Sequence, residues 1–332
     1  MSVQENTLIK DPKPYQLRPY TIMSQTTNTD LPLVSIIVIT YNSSKTALET
    51  LESAKAQTYR NIELIISDDC SKDDTVEVCR KWLEENKTTF VSTELITVPT
   101  NTGIPANCNR GTKAAHGKWI KIIAGDDALL NTCIKDYLSF VNNHPAAKII
   151  TADLEFIDKD SNNIENKSVS KDGVKKYYFT LNAYRQLKTY ARTPLFLNTP
   201  AFFIEKQALI DIDYFDEEFS IFEDTCLIYR INAKGWKIYY LNIPTVKYRI
   251  SDSSISRETN EFFANLRNNE QKTIFKKYRH KHLSKTNIID LSVYYELWLF
   301  YYYKGVFGFK LVRILKLFSV HYWYKKYLNV VF

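Results

Sequence analysis

Three polar clusters stand out in the sequence because each one closes an apolar, β-branched run. They are Thr40-Tyr41-Asn42 at the end of 33–40, Asp68-Asp69 just after 62–66, and Asp126-Asp127 just after 119–124. Paired carboxylates on neighbouring strand ends repel each other unless a positive group neutralises them. Mg²⁺ and Mn²⁺ do this well, since they prefer carboxylate oxygens and substrate phosphates. The clusters indicate a site for a metal-bound phosphorylated ligand.

The elements that would position these clusters alternate between strand and helix. The patterns predict strands at 33–40, 62–66, 94–98, 119–124, 148–153, 199–204, 236–241 and 245–250. They predict helices at 45–57, from a capping box at Ser71 and Asp74 to Leu83, and at 106–115, 130–143 and 222–234. This order predicts an α/β fold with a mostly parallel sheet flanked by helices, which binds ligands at the carboxyl ends of its strands. Each cluster alone could equally be a turn or a helix cap.

Composition excludes several other classes of protein. The 332 residues are 45% hydrophobic and 24% charged, which suits a folded protein with a sizeable core. The eight glycines form neither G-x-G-x-x-G nor a P-loop. The five cysteines form no C-x-x-C pair, and His280-x-His282 lacks further zinc ligands nearby. The sequence also has no secretory signal and no apolar run long enough to span a membrane, so we expect a cytoplasmic protein.

Charge and aromatic residues concentrate at the C-terminal end. Residues 271–332 carry 12 Lys and Arg against 2 Asp and Glu, while the last 40 residues hold 15 of the 46 aromatic side chains. Segment 293–332 therefore predicts a basic, aromatic helical surface that lies on an anionic membrane. Packing onto the core or onto a second subunit is the alternative. No nucleic-acid partner is expected, because the rest of the chain is net acidic and shows no reader motif.

Five stretches together carry a resemblance to a known family. They are VSIIVITYN at 34–42, IELIISDDCSKDDT at 62–75, NTGIPANCNRGTKAAHGKWIKIIAGDDAL at 101–129, IFEDTCLIYRI at 221–231 and VKYRISDSS at 246–254. In order and spacing the sequence resembles family 2 inverting glycosyltransferases of the GT-A fold, in particular bacterial O-antigen and capsular polysaccharide glycosyltransferases. The resemblance implies a Rossmann-like nucleotide-diphospho-sugar transferase fold.

The resemblance also implies which residues bind the donor nucleotide. Thr40, Tyr41 and Asn42 would line a uracil pocket, and Asp69 would accept the ring N–H of the base. Asp126 would hold the ribose. UDP is favoured over dTDP and GDP only through the family.

The remaining roles concern the diphosphate and the acceptor. Asp127 would hold Mn²⁺ or Mg²⁺ bound to the diphosphate, although many relatives carry D-x-D-D where this chain has Ala124 in the first position. Asp224 would be the general base, with Glu223 as its rival; alone, Asp224 could also be a helix cap. Arg110 and Arg249 are further candidates for the donor phosphates, and Arg110 could instead form an ordinary salt bridge on the surface.

These roles agree with the chemistry of inverting transfer. The acceptor hydroxyl must lose its proton as it attacks C1, and a positioned carboxylate accelerates this step about 10²–10⁴-fold. The expected function is therefore metal-dependent transfer of one hexose or N-acetylhexosamine from a UDP-sugar to a lipid-linked saccharide of a cell-surface polysaccharide. The alternatives are transfer to polyprenyl phosphate and a catalytically silent partner that binds nucleotide or saccharide.

The expected organisation has three parts. Residues 1–30 form an N-terminal arm, and 31–258 form the GT-A catalytic domain, with a donor half at 31–130 and an acceptor half at 131–258. Residues 259–332 form the basic, aromatic helical extension. A lipid-linked acceptor would make contact between this extension and the inner face of the plasma membrane useful, so we expect a cytoplasmic protein that can bind there peripherally.

Overall fold

The computed structural model describes residues 31–164, 172–250 and 261–298, together with 319, 320 and 323. Its centre is an eight-stranded mixed sheet with the order β3-β2-β1-β4-β7-β6-β8-β5. The strands are β1 Val34–Thr40, β2 Ile62–Asp68, β3 Ser92–Thr97, β4 Trp119–Ala124, β5 Ala128–Leu129, β6 Ile149–Ile157, β7 Phe203–Glu205 and β8 Ile238–Arg249. The expected α/β fold with helices on a mostly parallel sheet is confirmed.

Ten α-helices are seen in the described part of the chain. They are α1 Ala47–Lys55, α2 Thr75–Asn86, α3 Ile104–Ala114, α4 Cys133–Asn143, α5 Asp172–Thr180, α6 Ala183–Arg192, α7 Lys206–Asp211, α8 Glu223–Ala233, α9 Glu261–Ile274 and α10 Ile288–Trp298. Short 3-10 turns occur at Lys87–Thr89, Thr199–Ala201 and His280–His282, and a π-helical turn at Phe275–Arg279 continues α9.

Strand β1 is the centre of the site-bearing half of the sheet. It pairs in parallel with β2 on one side and with β4 on the other. Its side chains alternate between two apolar clusters, with Ile36 and Val38 in one and Ile37 in the other. A parallel strand buried on both faces has no polar side to show, which explains the continuous β-branched run in the sequence.

Helices cover both faces of this sheet. Leu51 of α1, Trp82 of α2 and Tyr137 of α4 pack into the first cluster. Tyr190 of α6 and Tyr229 of α8 pack into the second. The two layers enclose the sheet, so polar groups that bind a ligand must lie at its edges and strand ends.

The structure corrects the predicted elements at several places. Segment 199–204 was expected to be a strand, but Asn198 takes a left-handed φ of 52° and a 3-10 turn delays β7 until Phe203. The strands expected at 236–241 and 245–250 are one strand, β8. Helix α2 begins at Thr75 without a side-chain cap, because Ser71 instead contacts Asp68. Helices α5, α6 and α7 have no counterpart among the predicted elements.

The first part of the C-terminal extension packs on the sheet domain. Ile274, Tyr278 and Val293 are buried in the second apolar cluster, and Arg192 of α6 pairs with the buried Asp290 of α10 at 2.6 Å. Most of the basic segment 293–332, like the arm 1–30, lies outside the described residues. The division of the chain into arm, catalytic domain and extension stays a prediction. Among the described helices, none has both the length and the apolar character to cross a membrane.

Candidate active site

The carboxyl ends of β1, β2 and β4 meet at one edge of the sheet. Thr40 lies opposite Asp68 in the β1–β2 pair, and Ile39 lies opposite Ala124 in the β1–β4 pair. This register brings the three polar clusters of the sequence to the same edge, because the chain leaves all three strands there. The juxtaposition is the basis of the candidate site.

The two aspartates that follow β2 have different surroundings. The Asp68 carboxylate accepts the Thr40 hydroxyl at 2.8 Å, and the Ser71 N–H and hydroxyl at 2.8 Å and 2.5 Å. Cys70 takes a positive φ of 67°, which turns the chain between these groups. Asp68 therefore fixes the strand end, and the Thr40 side chain serves the same local purpose.

Asp69 is the acceptor at the centre of the adjoining loop. It is 2% exposed, and its carboxylate accepts the Thr102 N–H at 2.9 Å, the Thr102 hydroxyl at 2.6 Å and the Gly103 N–H at 2.7 Å. The Arg110 guanidinium completes the set at 2.9 Å. Because a carboxylate has about four acceptor positions and four donors occupy them here, a base N–H could bind Asp69 only by displacing one of these donors. The base contact of Asp69 stays a prediction.

Gly103 and Arg110 show how α3 supports that loop. Gly103 has φ 88° and ψ 164°, a region open only to glycine, which aims its N–H at Asp69. Arg110 also donates to the Asn107 side chain at 2.9 Å and to the Ser67 hydroxyl at 3.2 Å. These contacts give Arg110 a role in organising the loop, and its predicted phosphate contact stays a prediction.

Tyr41 and Asn42 occupy the turn between β1 and α1. Tyr41 directly follows the end of β1 and is 48% exposed. Asn42 has a left-handed φ of 51°; its N–H donates to the Ser71 hydroxyl at 2.8 Å, and its side-chain oxygen accepts the Lys72 N–H at 2.8 Å. Asn42 joins the two turns, and the predicted contact between Tyr41 and a base stays a prediction.

The aspartate pair after β4 is partly enclosed. Asp127 is 3% exposed and accepts the Arg249 N–H at 2.9 Å. Burial, followed by repulsion from Asp126, raises the pKa of Asp127 to about 8, and burial also raises the pKa of Asp126. A nearby cation would favour the ionised pair.

The chemistry of this pair fits a cation only with help from a substrate. No group of three potential metal-binding side chains occurs within the described residues. Asp127 is a suitable single ligand, and Mg²⁺ and Mn²⁺ sites commonly combine one or two carboxylates with substrate phosphates and water. The metal site stays a prediction that rests on Asp127.

Arg249 acts as an internal brace beside Asp127. Its guanidinium donates to the Asp126 carbonyl at 2.7 Å and to the Asp158 carbonyl at 2.9 Å, and it forms an ion pair with Glu49. These partners join β8, α1 and the loop that follows β6. A direct contact between Arg249 and donor phosphates would break these bonds, and it stays a prediction.

Asp224 and Glu223 form the first turn of α8. The Asp224 carboxylate accepts the Thr199 hydroxyl at 3.2 Å and the N–H of the next residue, Thr225, at 2.5 Å. Burial raises the pKa of Asp224. Burial, followed by the charge of Asp224, raises the pKa of Glu223 to about 8, and its Oε2 atom is shielded without a hydrogen-bond partner among the described residues. The contacts orient Asp224 better than Glu223 for a base, and the assignment stays a prediction.

Thr199 connects Asp224 to the sheet. The buried Lys121 of β4 donates to the carbonyls of Pro200 and Phe202, on the segment that begins with Thr199. Burial lowers the pKa of Lys121 to about 8. Thr199, Lys121 and Thr102 are not among the residues that the motifs predict for the site. An Asn-Thr-Pro turn at 198–200 and a lysine inside an apolar strand were the available signals for the first two.

Comparison with known proteins defines the family of the chain. The family model "Glycosyl transferase family 2" matches residues 35–213, which is over half of the sequence. The chain belongs to glycosyltransferase family 2, as expected from its motifs. Its α/β sheet flanked by helices is of the GT-A type.

Individual relatives match over part of their length. An uncharacterized glycosyltransferase of Haemophilus influenzae is 32% identical over 48% of this chain and 60% of its own length. The Escherichia coli protein WfaP, named as a UDP-Glc:alpha-D-GlcNAc-diphosphoundecaprenol beta-1,3-glucosyltransferase, is 35% identical over 33% of this chain and 42% of its own. The chain thus spans less than two thirds of either relative.

A solved structure shares the fold. Residues 1–349 of S. aureus TarS, crystallised with UDP-GlcNAc, superpose with a TM-score of 0.57 at 19% identity, over 82% of this chain and 74% of that one. At this identity the similarity concerns the fold alone. It supports the GT-A-type architecture derived above.

Proposed function

We propose that this protein transfers one sugar, with inversion, from a UDP-sugar to a hydroxyl of a lipid-linked saccharide during synthesis of a cell-surface polysaccharide. The observation that carries the proposal is the meeting of the ends of β1, β2 and β4 at one edge. Asp69 and Asp127 lie there, and the chain of contacts from Lys121 to Thr199 ties Asp224 to the same sheet.

The residues divide the reaction between them. The Asp224 carboxylate takes the proton of the acceptor hydroxyl as that oxygen forms its bond to C1 of the sugar. The bond between C1 and the phosphate oxygen breaks on the opposite face, and UDP leaves with the bonding electrons. Asp127 would hold Mn²⁺ or Mg²⁺ against the diphosphate, which supplies neutralisation of the charge on the leaving group. Tyr41 and Asp69 would bind the base.

Two similar proteins support the choice of substrates. TarS was crystallised with UDP-GlcNAc, and WfaP is named for a UDP-Glc donor and a diphosphoundecaprenol-linked acceptor. The basic, aromatic segment 293–332 would bring the enzyme to the membrane plane in which such an acceptor lies. Transfer to polyprenyl phosphate itself, or a silent binding function, are the alternatives to exclude.

Nucleotide binding tests the donor half of the proposal. Calorimetry would compare UDP, dTDP and GDP, each with and without Mn²⁺, on wild type, Asp127→Ala and Asp211→Ala, an exposed aspartate at the end of α7. We expect UDP to bind more tightly with Mn²⁺, and the metal effect to vanish in Asp127→Ala alone. No nucleotide binding under any condition would overturn the proposal.

Turnover tests the acceptor half. UDP release from UDP-glucose and UDP-GlcNAc would be followed with a diphosphoprenyl-linked saccharide and with bare polyprenyl phosphate. We expect release with the saccharide and a loss of about 10²–10⁴-fold in Asp224→Asn. Release with bare polyprenyl phosphate alone would favour the second acceptor, and binding without any release would indicate the silent partner.

A further inference from the structure

The loop that leads into α8 is held by a carboxylate from the C-terminal extension. Glu270 on α9 is 6% exposed, and its two oxygens accept the N–H groups of Ser220 at 2.8 Å, Ile221 at 3.0 Å and Phe222 at 3.2 Å. Hydrogen bonds to an ionised carboxylate are shorter and stronger than neutral ones. Three of them on consecutive residues fix the path of the backbone just before the helix.

That path determines where α8 begins, and the first turn of α8 carries the candidate base Asp224. Phe222 is the residue before α8, and its side chain supplies no cap. The N–H groups at the start of a helix have no partner within the helix, so a group from outside must take part in ordering the entry. Glu270 does this from a different helix, α9. The last of the N–H groups that it accepts belongs to Phe222, two residues before Asp224 in the sequence.

Other contacts clamp the same loop from both sides. On the α9 side, Lys277 pairs with Asp216 at 2.7 Å and with Glu218 at 2.6 Å. On the opposite side, the Asn109 side chain of α3 accepts the Phe215 N–H at 2.8 Å and donates to the Phe215 carbonyl at 2.9 Å. The loop between α7 and α8 is thus fixed between a helix of the donor half and a helix of the C-terminal extension.

The Glu270 contacts are separate from those of the donor site. Its hydrogen-bond partners in the described structure are backbone N–H groups of 220–222, whereas Asp69 is held by residues 102, 103 and 110. Loss of Glu270 should therefore disturb the base without disturbing the subsite of the nucleotide.

We propose that Glu270 is a positioning residue, which fixes Asp224 for proton transfer by anchoring the backbone of residues 220–222. The inference rests on the proposed function, since it assigns Glu270 to the same reaction. A displacement of about 1 Å in a reacting group can cost roughly 100-fold in rate. The C-terminal extension is therefore part of the catalytic apparatus through α9.

The test compares Glu270→Gln with Glu261→Gln, an exposed position of the same helix. A glutamine oxygen can accept at most two of the three N–H groups, and its amide nitrogen accepts none. In Glu270→Gln we expect the turnover number for UDP release to fall about 10- to 100-fold. The Kd for UDP should stay within about twofold, the pH profile of turnover should shift, and Glu261→Gln should match wild type.

Hydrogen exchange provides a readout independent of activity. Amides of residues 220–222 should exchange faster in Glu270→Gln, while peptides of α3 keep the protection of wild type. Unchanged exchange, or a parallel loss of UDP binding and turnover, would overturn the positioning role. A wild type that releases no UDP while the loop loosens in the variant would instead overturn the proposed function and, with it, the catalytic part of this inference.

Discussion

Among single residues, Asp69 has two tasks, and both depend on the acceptor oxygens of its carboxylate as well as on its charge. Its carboxylate organises Thr102, Gly103 and Arg110, and in the proposed reaction it also accepts the N–H of the base. Asp69→Asn replaces one acceptor oxygen by a donor that faces other donors. We expect UDP affinity to fall about 10-fold or more, since a lost hydrogen bond to a charged group costs about 1.5–3 kcal/mol.

Calorimetry with UDP checks this prediction against Asp74→Asn, an exposed aspartate before α2. Because Asp69 holds the 102–103 loop, Asp69→Asn should also lower the melting temperature, whereas Asp74→Asn should alter neither property. Unchanged UDP affinity in Asp69→Asn would remove Asp69 from the nucleotide subsite and leave it as a loop anchor only.

The raised pKa of Glu223 predicts an unusual dependence of the free energy of unfolding on pH. Burial raises its pKa to about 8, well above the usual value near 4.5, so ionisation is less favourable in the folded state than in the unfolded one. The native state is therefore penalised progressively as pH rises from about 5 towards 8. Glu223→Gln keeps the shape without the charge.

We expect Glu223→Gln to be more stable than wild type by ~1–3 kcal/mol at pH 8, since an unsatisfied buried group costs about that much. The difference should be small at pH 4, below the usual value near 4.5, where Glu223 is protonated in the folded state and largely protonated in the unfolded one. Urea unfolding at the two pH values measures the difference. The same difference at both pH values would show that Glu223 does not titrate with a raised pKa.

The aspartate clusters could be located from the sequence, but their division of labour could not. Each cluster ends a buried strand, and parallel strands bring such ends together. The turn at Cys70, with its positive φ, sets Asp68 inward and Asp69 toward the loop. The Arg249–Glu49 pair joins residues 200 positions apart, and no local pattern announces such a contact.

At the scale of elements, the close packing of α3 on β1 makes Gly111 sensitive to substitution. A Cβ at Gly111 would lie 2.4 Å from Ile37 Cγ2, and Ile37 is fully buried in a β-branched strand. Gly111→Ala must push α3 outward, together with Asn107 and Arg110 at the site edge. We expect a loss of ~1–3 kcal/mol in stability, typical of an overpacked core, with weaker UDP binding.

Thermal or urea unfolding of Gly111→Ala, beside Lys113→Ala at an exposed position of α3, tests this packing. Lys113→Ala should stay within about 0.5 kcal/mol of wild type, as surface substitutions usually do. A fully stable Gly111→Ala would mean that α3 sits farther from β1 than described.

The strands were predicted correctly where burial on both faces produces a continuous apolar run. They were predicted wrongly where strand pairing, which the local sequence does not show, determines the bounds. The continuous runs gave β1, β2 and β4 correctly, because both faces of these strands are covered. The break expected between 236–241 and 245–250 is absent, because Pro244 lies opposite Asp153, where the β6–β8 register shifts and a missing N–H is tolerated. The mixed polarity of 172–192 hid α5 and α6, whose helical state depends on packing over the sheet.

At the scale of the whole molecule, the boundary expected near residue 259 separates segments that lie against each other. Tyr278 stacks on Tyr229 of α8 with ring centroids 6.2 Å apart, and Tyr278 also donates to Asp216. Composition marked the extension as basic, but composition cannot show which of its helices pack on the core. The membrane prediction consequently belongs to its last part, where Lys310, Arg313 and Lys316 lie among aromatic residues.

Binding of the full chain to vesicles tests that prediction. Each basic residue near an anionic surface contributes about 1 kcal/mol, so K310E, R313E and K316E combined should weaken binding to phosphatidylglycerol vesicles at least ~100-fold. The matched control places glutamate at the exposed Lys81, Lys118 and Lys234, which changes net charge equally. If the tail is the contact surface, this control should bind the vesicles more tightly than the triple variant of the tail. Added salt should weaken vesicle binding by the wild type. Equal loss in both triple variants, or wild-type binding to neutral vesicles as strong as to anionic ones, would contradict a basic membrane-binding tail and favour its packing on protein.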